Sequence, residues 1–151
     1  MVVRMSPEQL ESIQRRLDFL RIEAGDIPRF ATMSQQDYVT DRDRRRSLER
    51  MVENIVNASV DIARIVLSAG DLPVPDSYRE SMLQLGMSGV LPQELANRLA
   101  EMTRLRNVLA HQYLDIRWAS LRTFLDEAAP FLEQFMQCIE RLLEDSAPPG
   151  P

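Results

Sequence analysis

One histidine and one cysteine in 151 residues leave little room for several kinds of chemistry. The lone Cys138 can close no internal disulfide and supplies no cysteine-rich metal framework. Within "FMQCIERLL" it reads as a core or half-buried helix residue, not a reactive thiol. Aromatic residues make up only 6% of the chain, so Leu, Ile, Val and Met must fill the core. No stretch approaches the roughly 20 apolar residues of a membrane span, and "MVVRMSPEQL" lacks an apolar run long enough for a signal peptide. A cytosolic location is therefore expected. A basic excess is also missing: the formal charge is −5 and the pI is near 5.0, which argues against coating nucleic acid through bulk charge. Any RNA contact must be local. There is no Gly-rich phosphate loop, no pair of histidines at metal spacing, no His-Glu-x-x-His helix and no nucleophile elbow. Neither a metal nor a cofactor is expected.

What is present has helical spacing. "SPEQLESIQRRLDFLRIEA" offers Ser6 as an N-cap, Pro7 at the first helical position and Gln9 to complete a capping box, followed by Leu10, Ile13, Leu17 and Leu20. This helix ends near Gly25, and Pro28 breaks the connection that follows. A long helix is expected from about Ser34 to Ala69. Leu48, Val52, Ile55, Ser59, Ile62 and Val66 form its stripe, and Met51, Ala58 and Ile65 widen it, so the helix should be covered on more than one side. Gly70 stops it before the proline-rich "DLPVPDS". Tyr78 to Leu85 is a short helix, "GMSGV" a turn, and Pro92 the start of a helix that runs into "RLRNVLAHQY" at residues 104–113. Trp118, Leu121, Phe124 and Leu125 open a last helical region that continues past Phe131 and Phe135, with Pro130 expected to kink or divide it. No segment alternates with period two. The expectation is an all-α, up-and-down bundle of four to six helices over residues 1–145, with residues 146–151 a disordered tail.

The single histidine, His111, lies in "RLRNVLAHQY" with Arg104, Arg106, Asn107 and Tyr113. On an ideal helix Arg104, Asn107 and His111 fall within about 60° of one another, while Arg106 and His111 are roughly 140° apart. Arg106 and His111 can converge only if the helix breaks near the histidine or a second subunit supplies one of them. An imidazole moves protons near neutral pH, and a guanidinium grips phosphate through parallel hydrogen bonds, a combination suited to phosphodiester chemistry. Metal-free RNA cleavage needs a base for the 2′-hydroxyl, an acid for the 5′-oxygen and a cation for the phosphorane. One histidine does not readily fill both proton-transfer roles, but a symmetric dimer offers two. The plainer alternative is a structural histidine, with Arg104 and Arg106 reaching out to solvent.

"RNVLAHQY" matches the Arg-x4-His-x-Tyr signature of the HepT-like toxins, members of the all-helical HEPN superfamily of ribonucleases. The segment "LGMSGVLPQELANRLAEMTRLRNVLAHQYLDI" resembles that family's sequence around the motif, and the helical order is similar over residues 6–144. The resemblance implies that Arg106 and His111 are the catalytic pair of an endoribonuclease. Asn107 and Arg104 would support them, and Tyr113 would be a tyrosine that accepts AMP. It further implies a homodimer with a shared cleft, an RNA substrate and a nucleotidyltransferase antitoxin. The competing reading is a non-catalytic helical module that partners a nucleotidyltransferase. Elsewhere, "DRDRRRSLER" is either a basic guide for RNA or an ordinary solvated face, since Asp41, Asp43 and Glu49 interleave its arginines. Asp61 is expected at an edge or as an internal hydrogen-bond acceptor, with orientation toward the motif as the alternative.

Overall fold

In the computed structural model, which describes residues 3–146, the first helix α1 spans Pro7–Gly25. Its capping box forms as the sequence predicts: Gln9 N donates to Ser6 Oγ at 3.1 Å, and Ser6 N donates to Gln9 Oε1 at 2.9 Å. A 3-10 turn at Ile27–Phe30 carries Pro28 in the connection. Ser34 then caps a second helix, α2 (Gln35–Thr40), through a reciprocal pair with Asp37. The Ser34 amide, and then its hydroxyl, hold the Asp37 carboxyl below the usual range.

The helix expected over 34–69 is split. Asp41 adopts an extended conformation, and its carboxylate accepts from Arg44 N at 3.1 Å, which starts α3 (Arg42–Ala69) afresh. α3 packs against α1, α2, α4 and α6, covered on several sides as its wide apolar stripe requires. At its end Gly70 is the cap, but the left-handed residue is Asp71, with φ 53°. Leu72 N bonds Leu67 O, and Asp71 N bonds Ser68 O, closing the last turn.

α4 (Tyr78–Met87) runs two residues past the expected end, consuming Gly86; Gly89, at φ 85°, makes the turn instead. α4 packs closely on α5 (Gln93–Met102): a Cβ built on Gly86 would meet Ala96 Cβ at 2.6 Å. The helix from Pro92 through the motif is likewise interrupted. Thr103 is buried and its hydroxyl donates to Ala100 O at 2.6 Å, ending α5; α6 (Leu105–His111) follows.

α7 (Leu114–Ser146) is continuous, so Pro130 does not divide it. Proline removes one backbone donor, and here it lies on the exposed face, where water can satisfy the freed carbonyl of Asp126. Leu125, Ala128, Leu132 and Phe135 keep the opposite face buried. Ser146, assigned to the tail on sequence, ends this helix; residues 147–151 lie outside the described residues. The long segments α1, α2–α3, α4, α5–α6 and α7 form the expected all-α bundle, and their buried side chains join in one cluster from Val3 to Ile139. No helix among the described residues is long and apolar enough to cross a membrane.

Candidate active site

The motif occupies α6 and the turn that ends it. Leu105 and Leu109 bury one face of this helix, which leaves Arg106, Asn107 and His111 exposed. Gln112 is extended, with φ −98° and ψ 160°, and α7 begins at Leu114. Arg106 and His111 lie on this one uninterrupted helix and the break comes only after the histidine, so within a single chain it does not bring the two together. Tyr113 sits in the break and is 83% exposed, more than any other exposed large hydrophobic among the described residues. A ring so placed contributes little to packing.

The turn is held from outside the motif. Arg117 Nε donates to the Gln112 carbonyl at 2.7 Å, and Arg117 Nη1 reaches Glu49 Oε1 at 3.2 Å. The second Glu49 oxygen accepts from Tyr38 Oη at 3.2 Å. Burial and the neighbouring Glu49 carboxylate push the Tyr38 hydroxyl up to about 12. The Tyr38 ring packs on Trp118 with centroids 5.4 Å apart, so the α2–α3 corner is fastened to the start of α7. None of Tyr38, Glu49 or Arg117 is near the motif in sequence except Arg117, and nothing in periodicity singles them out.

The two arginines of the motif differ in partners. Arg104 caps α6 and its Nη1 pairs with Glu101 of α5. Arg106 faces no carboxylate at ion-pair distance among the described residues; its guanidinium lies over the Tyr78 ring, 4.4 Å from the centroid. Of the two motif arginines, Arg106 is the one without a carboxylate partner among the described residues. Arg104 is the N-cap residue of α6, with helical φ −61° and ψ −26°, and its carbonyl accepts from Asn107 N and Val108 N at 3.1 Å, so it lies in the turn that starts the helix of Asn107 and His111.

A groove of about 420 Å³ between α5, α6 and α7 is lined by Arg98, Arg104, Leu105, Val108, Phe124 and Phe131 among others, but by neither Arg106, His111 nor Tyr113. Those three stand on open surface. The arginine-rich start of α3 is largely committed: Arg44 pairs with Asp37, Arg50 with Glu53, and Arg45 donates to the carbonyls of Tyr38 and Val39. Asp61 lies at an edge and pairs with Arg16 at 3.8 Å. Cys138 is half-buried. Among the described residues no three of His, Cys, Asp and Glu gather at metal-ligand spacing.

The sequence profile of the ribonuclease HepT-like family matches residues 8–139. A tRNA nuclease HepT of Aphanizomenon flos-aquae is 34% identical over 110 residues, which cover 72% of this chain and 69% of that protein. An mRNA nuclease HepT of Shewanella oneidensis is 25% identical over 132 residues, covering 87% and 93%. The fold matches the crystal structure of a mutant MntA-HpeT toxin–antitoxin complex with a TM-score of 0.76, at 21% identity over 87% of this chain and 98% of that one. It also matches a tri-AMPylated HEPN toxin of Shewanella oneidensis solved with its MNT antitoxin, with a TM-score of 0.64, at 21% identity over 91% and 99%.

Proposed function

The chain belongs to the ribonuclease HepT-like family, and on that premise we propose that it is a metal-independent endoribonuclease, the toxin half of a toxin–antitoxin pair. The observation that carries this reading is the exposure of Arg106, Asn107, His111 and Tyr113 together around the Gln112 break. Residues kept for packing would face Leu105 and Leu109 instead.

His111 acts in proton transfer. In the cleavage step one imidazole takes the proton of the 2′-hydroxyl, whose oxygen attacks the adjacent phosphorus. A second imidazole protonates the departing 5′-oxygen, leaving a 2′,3′-cyclic phosphate and a 5′-hydroxyl. Arg106 binds the phosphate and stabilises the charge that builds on its equatorial oxygens, and Asn107 orients the substrate. Because each chain has a single histidine and its motif is not enclosed by its own helices, the functional unit is a homodimer that faces two motifs across a two-fold axis.

A nucleotidyltransferase antitoxin neutralises the enzyme. Tyr113 is its acceptor: the tyrosine oxygen attacks the α-phosphorus of ATP, pyrophosphate leaves, and the phenolic proton passes to a base on the transferase. AMP on this exposed ring puts a phosphodiester anion beside Arg106 and His111, where substrate phosphate must bind, so inhibition requires no refolding. The reading is supported by a relative named as a tRNA nuclease and by the fold of an AMPylated toxin seen with its antitoxin. Expression of the chain alone should arrest growth, co-expression of its nucleotidyltransferase should relieve the arrest, and His111→Ala should be harmless while still folded. A harmless wild type that folds and binds the transferase would favour the non-catalytic module instead.

A further inference from the structure

The chain has no lysine, so every one of its 18 Lys or Arg side chains is an arginine, and eleven of them pair with a carboxylate among the described residues. Arg106 is held by a ring. Tyr78 is the first residue of α4 and half-buried, and it receives two guanidiniums: that of Arg106 at 4.4 Å from its centroid and that of Arg64 at 5.1 Å. Arg64 is anchored elsewhere. It donates to Asp76 O at 2.6 Å, to Ser81 Oγ at 3.4 Å and to Pro75 O at 3.5 Å. Ser77 caps α4 by accepting from Glu80 N at 3.0 Å, and Ser81 Oγ donates back to Ser77 O at 2.9 Å. The ring therefore stands on a fastened helix start, with one arginine committed to backbone carbonyls and the other without an anionic partner.

That difference has a chemical consequence. A carboxylate holds a guanidinium through the same N–H donors a phosphate needs, as Glu101 does with Arg104. The negative face of an aromatic ring attracts the cation while leaving most of its five donors available. We infer that Tyr78 is a positioning residue for Arg106, holding the guanidinium over its ring so that its N–H groups are presented to the RNA phosphate. The inference rests on the ribonuclease reading of the motif. It assigns to the start of α4 a part in phosphate binding.

The test is a double-mutant cycle on the purified full chain. Wild type, Tyr78→Ala, Tyr78→Phe, Arg106→Ala and the Tyr78→Ala/Arg106→Ala double variant are titrated with a mixed-sequence 2′-O-methyl oligonucleotide, which has the phosphates but no free 2′-hydroxyl to react. Cleavage of total RNA is measured in parallel. Tyr78→Ala should weaken binding roughly two- to fivefold, Tyr78→Phe should match wild type, and the double variant should bind no worse than Arg106→Ala. If melting shows Tyr78→Ala to be unfolded, Tyr78→Leu, which fills the space without a π face, takes its place. An undiminished loss from the Tyr78 substitution in the Arg106→Ala background, or no loss in either background, overturns the positioning role. With wild type cutting RNA, that result leaves the nuclease reading standing. Wild type that neither binds nor cuts overturns both.

Discussion

Replacing Glu49 by alanine should loosen the corner that supports the motif, and the size of the effect follows from what Glu49 touches. Its side chain is 16% exposed and that of Arg117 25%, so the pair is neither in bulk water nor fully desolvated. Breaking a fully buried pair costs about 3–5 kcal/mol, and an exposed one about 0–1. The Tyr38 hydroxyl, on a side chain with no exposure, loses its acceptor in the same substitution, and an unmet buried donor costs about 1–3 kcal/mol. The two losses share one residue and are not additive, so about 2 kcal/mol is expected. For a domain of this length that lowers Tm by about 4–8 °C. Glu49→Gln keeps one acceptor oxygen for Arg117 and places an NH2 that can donate to the Tyr38 hydroxyl, so it should lose less than alanine does. Differential scanning calorimetry of the three proteins decides it. An unchanged Tm for Glu49→Ala, or a Glu49→Gln loss as large as that of alanine, would refute the account of this corner.

Alkaline melting tests the same corner by a second route. An unfolded tyrosine ionises near 10 while native Tyr38 stays protonated to about 12, so stability present below pH 10 is lost as pH rises from 10 to 12, and Tyr38→Phe should flatten that part of the profile. Ser59 Oγ is buried on α3 without a hydrogen-bond partner among the described residues, so Ser59→Ala should be neutral or raise stability by about 1 kcal/mol in urea unfolding. Gly86→Ala forces α4 and α5 apart at Ala96 and should cost about 1–3 kcal/mol in the same assay. Of the motif arginines, Arg106→Ala should slow RNA cleavage by about 10²-fold or more, whereas Arg104→Ala, whose guanidinium pairs with Glu101, should change it only a few-fold.

Local signals were the legible part of this fold. Ser6, Pro7 and Gln9 specify a helix start through contacts three residues apart, and the α3 stripe announces burial on several sides because its spacing alone determines which faces are apolar. The interruptions were harder to read. Asp41 and Thr103 lie within sequence that keeps helical character on both sides, and each breaks its helix through a side-chain bond to nearby backbone that competes with the regular ladder. Pro130 misled in the opposite direction, because its effect depends on which face it occupies. At the candidate site, Arg106, His111 and Tyr113 stand out by residue type and motif. Their supports do not: Glu49 lies 68 residues before Arg117, and Tyr78 meets Arg106 from the start of another helix, α4. Such partners are set by tertiary packing, and no periodicity records them.

Cleavage of a labelled total RNA pool in excess EDTA, by wild type, Arg106→Ala and His111→Ala, tests the central claim most directly. Wild type should cut to leave 2′,3′-cyclic phosphate ends, and both variants should melt as wild type does yet leave the RNA intact. Folded wild type with unmodified Tyr113 that leaves the RNA uncut, or a His111→Ala protein that cuts as well as wild type, would contradict it.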